Sequence, residues 1–446
     1  MEMAESQTYQ KRGAKIDIKK RSLLYLSGCL IFLLLITGCG GKAPTAVSFM
    51  VFGDPAEYNA YKELVDTFNA GHDDIQVELT HVPSSGEYRT RLLTEFAAGT
   101  PPDISLMNYR RVANFAANGM LEPLDSYLVQ SSLIQPEDFY PVALDAFTWQ
   151  GQLMCLPQNI SSLVVYYNAD LFAAAGLPEP ADKWTWEEFV QTAVTLTRDF
   201  DGDGTIDQYG LGVEPSLFRA APFIWQNNGP LVDDETQPTR LTLTRPPTLA
   251  ALQWFTDLHN VAHVVPGREE EASQDSESRF LAGTTAMYLN SRRGVPTYRE
   301  IDSFAWNVAP LPNGQTSASI LHSDGFCLAG TAVNKDAAWA FIEFANSVEG
   351  QTILAGTGRT VPSLIAVAQS DAFLNPGQSP SRAQAYLDNA PIMRRVPLIS
   401  TWEEIESVAD EEIERAFYGD IAVADAARLA TQRTEEYFLR AGFNAP

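Results

Sequence analysis

Cysteine and histidine are scarce in this chain, and basic residues are outnumbered. Its 446 residues hold four cysteines and five histidines. No cysteines stand at a metal-binding spacing, which removes zinc ribbons and fingers. His259 and His263 have the i, i+4 spacing of a zinc helix. Without a His-Glu-x-x-His motif or a third ligand nearby, they read as surface residues. No Gly-x-Ser-x-Gly elbow, phosphate loop or dinucleotide fingerprint occurs, and the scattered histidines suggest no triad. Lys and Arg total 31 against 56 Asp and Glu, a formal charge of −25. That balance disfavours nucleic acid and anionic lipid as partners.

What is present is enough apolar residue, 45% with 11% aromatic, for two ordinary cores. The N-terminus reads as a targeting segment. Lys15, Lys19, Lys20 and Arg21 precede an apolar run over residues 23–36, short for a spanning helix. The run ends Leu35-Ile36-Thr37-Gly38-Cys39, which resembles a bacterial lipobox with Cys39 as the lipidated residue, although Ile36 replaces the commoner Leu. The rival reading is an uncleaved signal anchor. Cys29 would leave with the signal, so Cys155 and Cys327 remain, fitting either a disulfide or two buried thiols.

From residue 46 onward, apolar runs alternate with helical periodicity. Residues 46–52, 75–82 and 103–107 read as strands, with Tyr58, Tyr61, Leu64, Val65 and Phe68 at helical spacing after the first. The alternation predicts a mainly parallel sheet with its ligand edge at the strand ends. The loops there are Gly53-Asp54-Pro55, residues 84–88 and Asn108-Tyr109-Arg110. Leu163 to Tyr167 reads as a buried strand, and Asn168 caps the helix that follows. Thr185-Trp186-Glu187-Glu188 has the form of a capping box. Asp199, Asp201, Asp203, Thr205 and Asp207, with Gly204 at the turn, follow the spacing of an EF-hand loop. The last ligand place falls on Gly210, so the stretch reads as a structural calcium site or a plain Asp/Gly turn. No other cofactor is expected.

A longer pattern runs through these pieces. Gly151-Gln-Leu153-Met-Cys-Leu156-Pro157 is followed by Tyr166-Tyr167-Asn168-Ala-Asp170-Leu171-Phe172, Ala175-Gly176-Leu177-Pro178 and Trp184-Thr185-Trp186-Glu187-Glu188-Phe189. In that order they resemble family 1 of the extracellular solute-binding proteins of sugar ABC importers, the maltose-binding-protein-like group. The resemblance runs from about Val47 to the C-terminus. It implies an α/β, two-lobed, type II periplasmic-binding-protein fold, each lobe a mixed or mainly parallel sheet flanked by helices, with a hinge of three crossovers. On that pattern residues 1–38 are a lipoprotein signal peptide and 39–45 a tether. Residues 46–158 with 319–361 form the first lobe, and 159–318 with 362–446 the second.

Strand-end loops and crossings then nominate the ligand-binding residues. They are Asp54, Glu87, Asn108, Tyr109, Asn159 and Ser161 on or near the first lobe, Trp225, Arg292 and Trp402 from the second, and Asp324 and Arg359 at the crossings. Carboxylates, amides and guanidiniums bond hydroxyls, while rings cover the apolar face of a sugar. Trp225 has a rival reading as core. At Ser291-Arg292-Arg293-Gly294 the family often has Gly-x-Trp, so two guanidiniums replace an aromatic platform. The resemblance implies a non-enzymatic, monomeric receptor, lipid-anchored outside the bacterial cell membrane. It would bind a sugar or oligosaccharide and deliver it to ABC permease subunits and their ATPase. The alternatives are a secreted glycoside-acting enzyme and a binding protein for a peptide or polyamine.

Overall fold

The computed structural model describes residues 43–441. The expected signal peptide, Cys39 and the start of the tether lie outside the described residues. Among those described, no helix is long and apolar enough to cross a membrane.

In the N-terminal part, each strand hands over to a helix through a polar cap. The side chains of Asp54, Ser84 and Asn108 accept the backbone N–H groups of Glu57 (2.9 Å), Glu87 (3.3 Å) and Arg110 (3.3 Å). They open the helices Pro55–Gly71, Ser85–Ala97 and Tyr109–Ala117. Each cap satisfies an N–H the helix itself cannot, worth about 1 kcal/mol. The strands between them form a five-stranded sheet in the order Ile75–Val82, Thr45–Phe52, Ile104–Asn108, Asp324–Leu328, Cys155–Pro157. The first three run parallel, and Asp324–Leu328 is antiparallel to both its neighbours. Phe49 anchors the core beneath, its ring 5.9, 5.7 and 5.2 Å from those of Tyr61, Phe326 and Phe341.

A second sheet runs Trp306–Ala309, Val164–Asn168, Thr285–Asn290, Tyr209–Gly212. Every residue of its two central strands is buried, which explains their unbroken apolar runs. Tyr166 can sit there because its hydroxyl donates to the Ser291 carbonyl (2.8 Å) and meets the Tyr386 hydroxyl (2.6 Å). Asn168 caps Ala169–Ala174, and the capping box at Thr185 and Glu188 is formed.

Two short segments connect the sheets. Ser161–Ser162 leads from the first to the second and Ser319–His322 leads back, and the two pair antiparallel. Met393–Arg394 joins the second of them in parallel. Asn159 also pairs with Pro362, which brings residues 356–362 against the same place. The helix carrying His259 spans Pro246–Asn260, starting where Pro246 and Pro247 suit a first turn and ending before His263. The strand expected at 103–107 is Ile104–Asn108.

Cys155 and Cys327 lie opposite each other on adjacent strands and are disulfide-bonded, which settles the alternative left open by their spacing. The bond spans a sequence separation of 172 residues, a loop containing all four strands of the second sheet. Cross-linking so long a loop restricts the unfolded chain, by about 3–5 kcal/mol. Cys155→Ala with Cys327→Ala is therefore expected to lower the urea midpoint without changing the folded circular dichroism spectrum. An unchanged midpoint would contradict that assignment of its role.

Candidate functional site

The strand ends of both sheets, together with the connecting segments, enclose a cavity of about 350 Å³. From the first sheet's side come Phe52, Glu57, Ser85, Asn108, Arg110, Arg111 and Asp324. Glu214, Ser216, Phe218 and Arg219 follow the strand Tyr209–Gly212, and Ser291 and Arg293 follow Thr285–Asn290. Asn159, Ser161, His322, Arg359 and Thr360 belong to the connections, and Glu406 and Asp410 to the helix Trp402–Phe417.

The connections are knotted by hydrogen bonds. The Asn159 side chain accepts the Asp324 N–H at 2.8 Å, and the Ser323 hydroxyl donates to the Asn159 carbonyl at 2.5 Å. Asp324 in turn accepts from the Asn108 amide at 3.1 Å. Asp324 is thus held through its backbone N–H by Asn159 and through its carboxylate by Asn108. Burial raises its pKa, against the pull of the Asn108 bond and nearby guanidiniums.

Charges line the cavity in pairs. Arg359 bridges Asp54 and Glu57, each at 2.6 Å. Burial lifts Glu57 to about 7 even so, outweighing the attraction of Arg359. Only glycine fits at position 53, where φ is +134° and a Cβ would lie 1.7 Å from the Glu57 Oε2 atom. Arg110 pairs with Glu406 and lies 4.3 Å above the Phe218 ring, and Arg111 meets Glu403 at 2.6 Å. Asp410 receives the Leu217 N–H at 2.7 Å. Burial and the neighbouring Glu406 raise it to about 8. Burial, then the charges of Arg219, Arg110 and Arg293, hold His322 well below its usual range and so neutral.

Of the nominated residues, Asn108, Asn159, Ser161, Asp324 and Arg359 reach the wall. The others do not. Asp54 stands behind Arg359 as its ion-pair partner. Glu87 points to solvent from the first helical turn, where Ser85 reaches the cavity. Tyr109 is fully buried, its hydroxyl accepting from the Val396 N–H at 3.3 Å, and the next two residues of its helix face the cavity. Trp225 is core, as its rival reading held: it is 2% exposed on a helix buried on every side, with Arg394 4.8 Å from its ring. Arg292 turns inward, donating from Nε to the Gly358 carbonyl (2.8 Å) and lying 4.3 Å over Phe373. Its neighbours Ser291 and Arg293 take the wall. Trp402 is sealed in the core, while Glu406 and Asp410, one and two turns on, face the cavity.

The acidic loop lies elsewhere, on the exposed surface. Asp199, Asp201 and Asp207 bring carboxylate oxygens within 4.8 Å of one another, and Asp203 stands outside that set, accepting the Thr205 N–H at 2.7 Å. Both Asp199 oxygens accept backbone N–H groups, from Gly202 (2.7 Å) and Gly204 (2.9 Å). Three carboxylates suit a hard cation, but the set falls short of the six to eight oxygens calcium favours.

The raised Asp410 carries a pH signature. A carboxyl with an ordinary value of 3.8 and a folded value of about 8 binds its proton more tightly in the folded state. Its contribution is full at low pH and is lost as pH rises through that interval. Asp410→Asn keeps an acceptor for Leu217. It should raise the melting temperature at about pH 8, with the gain fading to nothing near pH 4. A pH-independent difference would contradict this.

Comparison with known proteins agrees with this architecture. A family model described as bacterial extracellular solute-binding protein matches residues 53–352. A maltotriose-binding protein of Pyrococcus abyssi is 23% identical over 384 residues, 82% of this chain and 77% of that protein. A sn-glycerol-3-phosphate-binding periplasmic protein of Pectobacterium atrosepticum is 23% identical over 441 residues, 93% of this chain and 96% of its own. Among solved structures, an ABC substrate-binding protein of Listeria monocytogenes in complex with cycloalternan superposes with a TM-score of 0.80. It is 23% identical, and the match covers 88% of this chain and 98% of that one. With the family model spanning well over half of its length, this chain belongs to the bacterial extracellular solute-binding proteins.

Proposed function

We propose that this protein is the substrate-binding component of an ABC importer, taking a sugar or oligosaccharide into the cavity between its two sheets and presenting it to the permease. The observation that carries the reading is the wall itself. Amides, hydroxyls, carboxylates and guanidiniums from both sheets converge there, with Phe52 and Phe218 as the rings. Such a set bonds hydroxyls from several directions and leaves a ring for an apolar sugar face. The sugar-binding names among the relatives point the same way. The receptor acts as a monomer outside the cytoplasm, held at the membrane by lipid on Cys39, with the permease subunits and their ATPase as partners. Nucleic acid is not among them.

The glycoside-enzyme reading has only the abundance of carboxylates behind it. Turnover of an aryl glycoside by the wild-type protein would favour it over binding. A peptide or polyamine would have to approach Arg110, Arg219, Arg293 and Arg359 in the same wall, which is unfavourable for a cation.

Bound sugar should raise the melting temperature, since ligand adds RT ln(1 + [L]/Kd) to stability. Asp324→Ala removes a charged partner and should weaken binding about ten- to a hundredfold by titration calorimetry. Trp225→Ala should lower stability and leave affinity within about threefold, because the indole lies off the cavity. Equal affinity for Asp324→Ala and wild type would move the site elsewhere.

For the Asp199–Asp207 loop we propose a weak structural calcium site with no part in sugar binding. Millimolar calcium should raise the melting temperature of the chelator-treated protein by a few degrees and leave sugar affinity unchanged. No thermal shift would leave an Asp/Gly turn. Loss of sugar binding on chelation would contradict the separation of the two sites.

A further inference from the structure

The guanidinium of Arg219 differs from the other buried ones around the cavity. Arg110, Arg111 and Arg359 each sit against a carboxylate that is itself at least partly buried. Arg219 meets one acid, Glu214, at 3.2 Å through Nη2, and that carboxylate's side chain is 66% exposed. Solvent screens such a pairing and leaves much of the positive charge uncompensated. The Arg219 side chain is only 9% exposed, yet its Nε and Nη1 groups have no hydrogen-bond partner. Buried guanidinium N–H groups are costly to leave unpaired. Arg219 lines the cavity, but these two nitrogens are covered, so a ligand would meet them only with a shift of the side chain.

The surroundings point to the sign of that ligand. The His322 ring lies 4.7 Å from Phe218, and its Nε2 has no partner. The charges of Arg219, Arg110 and Arg293 all bear on His322, so three guanidiniums converge on this end of the cavity. The serine hydroxyls of Ser161, Ser216 and Ser291 lie on the same wall. Against them stand Asp324 and Asp410, each accepting one hydrogen bond from the protein, from Asn108 and the Leu217 N–H respectively, together with Glu406, paired with Arg110, and the exposed Glu214. A neutral hydroxyl would satisfy one N–H and leave the charge. A carboxylate or phosphate would answer the charge as well as an N–H, through a two-point edge that includes Nη2, with the exposed Glu214 giving way.

We infer that the solute carries an anionic group, a carboxylate or a phosphate, and that Arg219 receives it as the specificity-determining residue of the cleft. The inference rests on the sugar-binding reading and narrows it to acidic sugars. With a formal charge of −25 the whole protein repels anions at long range, so selection must come from this local cluster and should weaken as salt screens it.

Titration calorimetry on the full chain tests this with three matched sets. Glucuronate and galacturonate supply the carboxylate, glucose 6-phosphate and galactose 6-phosphate the phosphate, and glucose and galactose are the neutral controls. Each is run with the wild type, Arg219→Gln and Arg219→Lys, with melting curves to confirm folding. The expected result is at least tenfold tighter binding of one acidic class over its neutral counterpart, lost in Arg219→Gln and partly kept in Arg219→Lys. Which class binds identifies the group. Neutral sugars binding the wild type as tightly as acidic ones would overturn the inference and leave the sugar reading intact. The same holds if folded Arg219→Gln keeps the full preference for acids. Binding of inorganic phosphate or citrate but no sugar, abolished in Arg219→Gln, would keep the anion site and overturn the sugar reading. Binding of nothing in any set would overturn both.

Discussion

The antiparallel pairing of two short connecting segments is the constraint on which the rest of the structure depends. Leu321 and His322 lie opposite Ser162 and Ser161, and the Asn159 side chain ties this pair to Asp324. Because the chain passes from one sheet to the other and back at this place, the ends of both sheets are forced to face one another. Polar side chains at those ends then enclose a cavity, whatever their identity. The bonds that fix the connections are short and mostly buried, where their loss would leave unpaired polar groups at a cost of about 1–3 kcal/mol each.

Around that fixed point the cavity is built from charges that are expensive to bury. Glu57 and Asp410 have proton affinities raised towards or above neutrality, and Arg359 needs two acids to be held where it is. Sites of this kind are arranged for a ligand more than for stability, since hydrophobic groups of similar size would fold at least as well. Ion pairs also join the wall segments directly, Arg110 to Glu406 and Arg111 to Glu403. They link the helix Tyr109–Ala117 to the helix Trp402–Phe417, so Arg110, Arg111 and Glu406 of the wall also hold the two sides together.

Much of the fold was legible in the sequence because its signals are local. The cap at Asn168 and the capping box at Thr185 and Glu188 mark helix starts, and the unbroken apolar run at 163–167 marks a strand covered on both faces. The site was legible where the backbone alone decides position, as at Asn159, Ser161 and Asp324 on the connections. It was not legible where a turn of helix decides. Beside Tyr109 it is Arg110 and Arg111 that reach the cavity, beside Arg292 it is Ser291 and Arg293, and beyond Trp402 it is Glu406 and Asp410. In each case a neighbour on the same segment lines the cavity and the nominated residue does not, because the face depends on packing against elements far away in sequence. Aromatic rings suit sugar faces, yet Trp225 and Trp402 lie in the core, where their large apolar area is best removed from water.

A crystal structure of the protein with a bound sugar tests the central claim most directly. The account predicts one sugar between the two sheets, within hydrogen-bonding distance of Asp324 and Arg359, with the Ser161–Ser162 and Ser319–His322 pairing unchanged. A sugar bound instead on the stacked Trp186 and Trp254 rings, 4.2 Å apart on a separate surface groove, with the cavity at the connections empty, would contradict it.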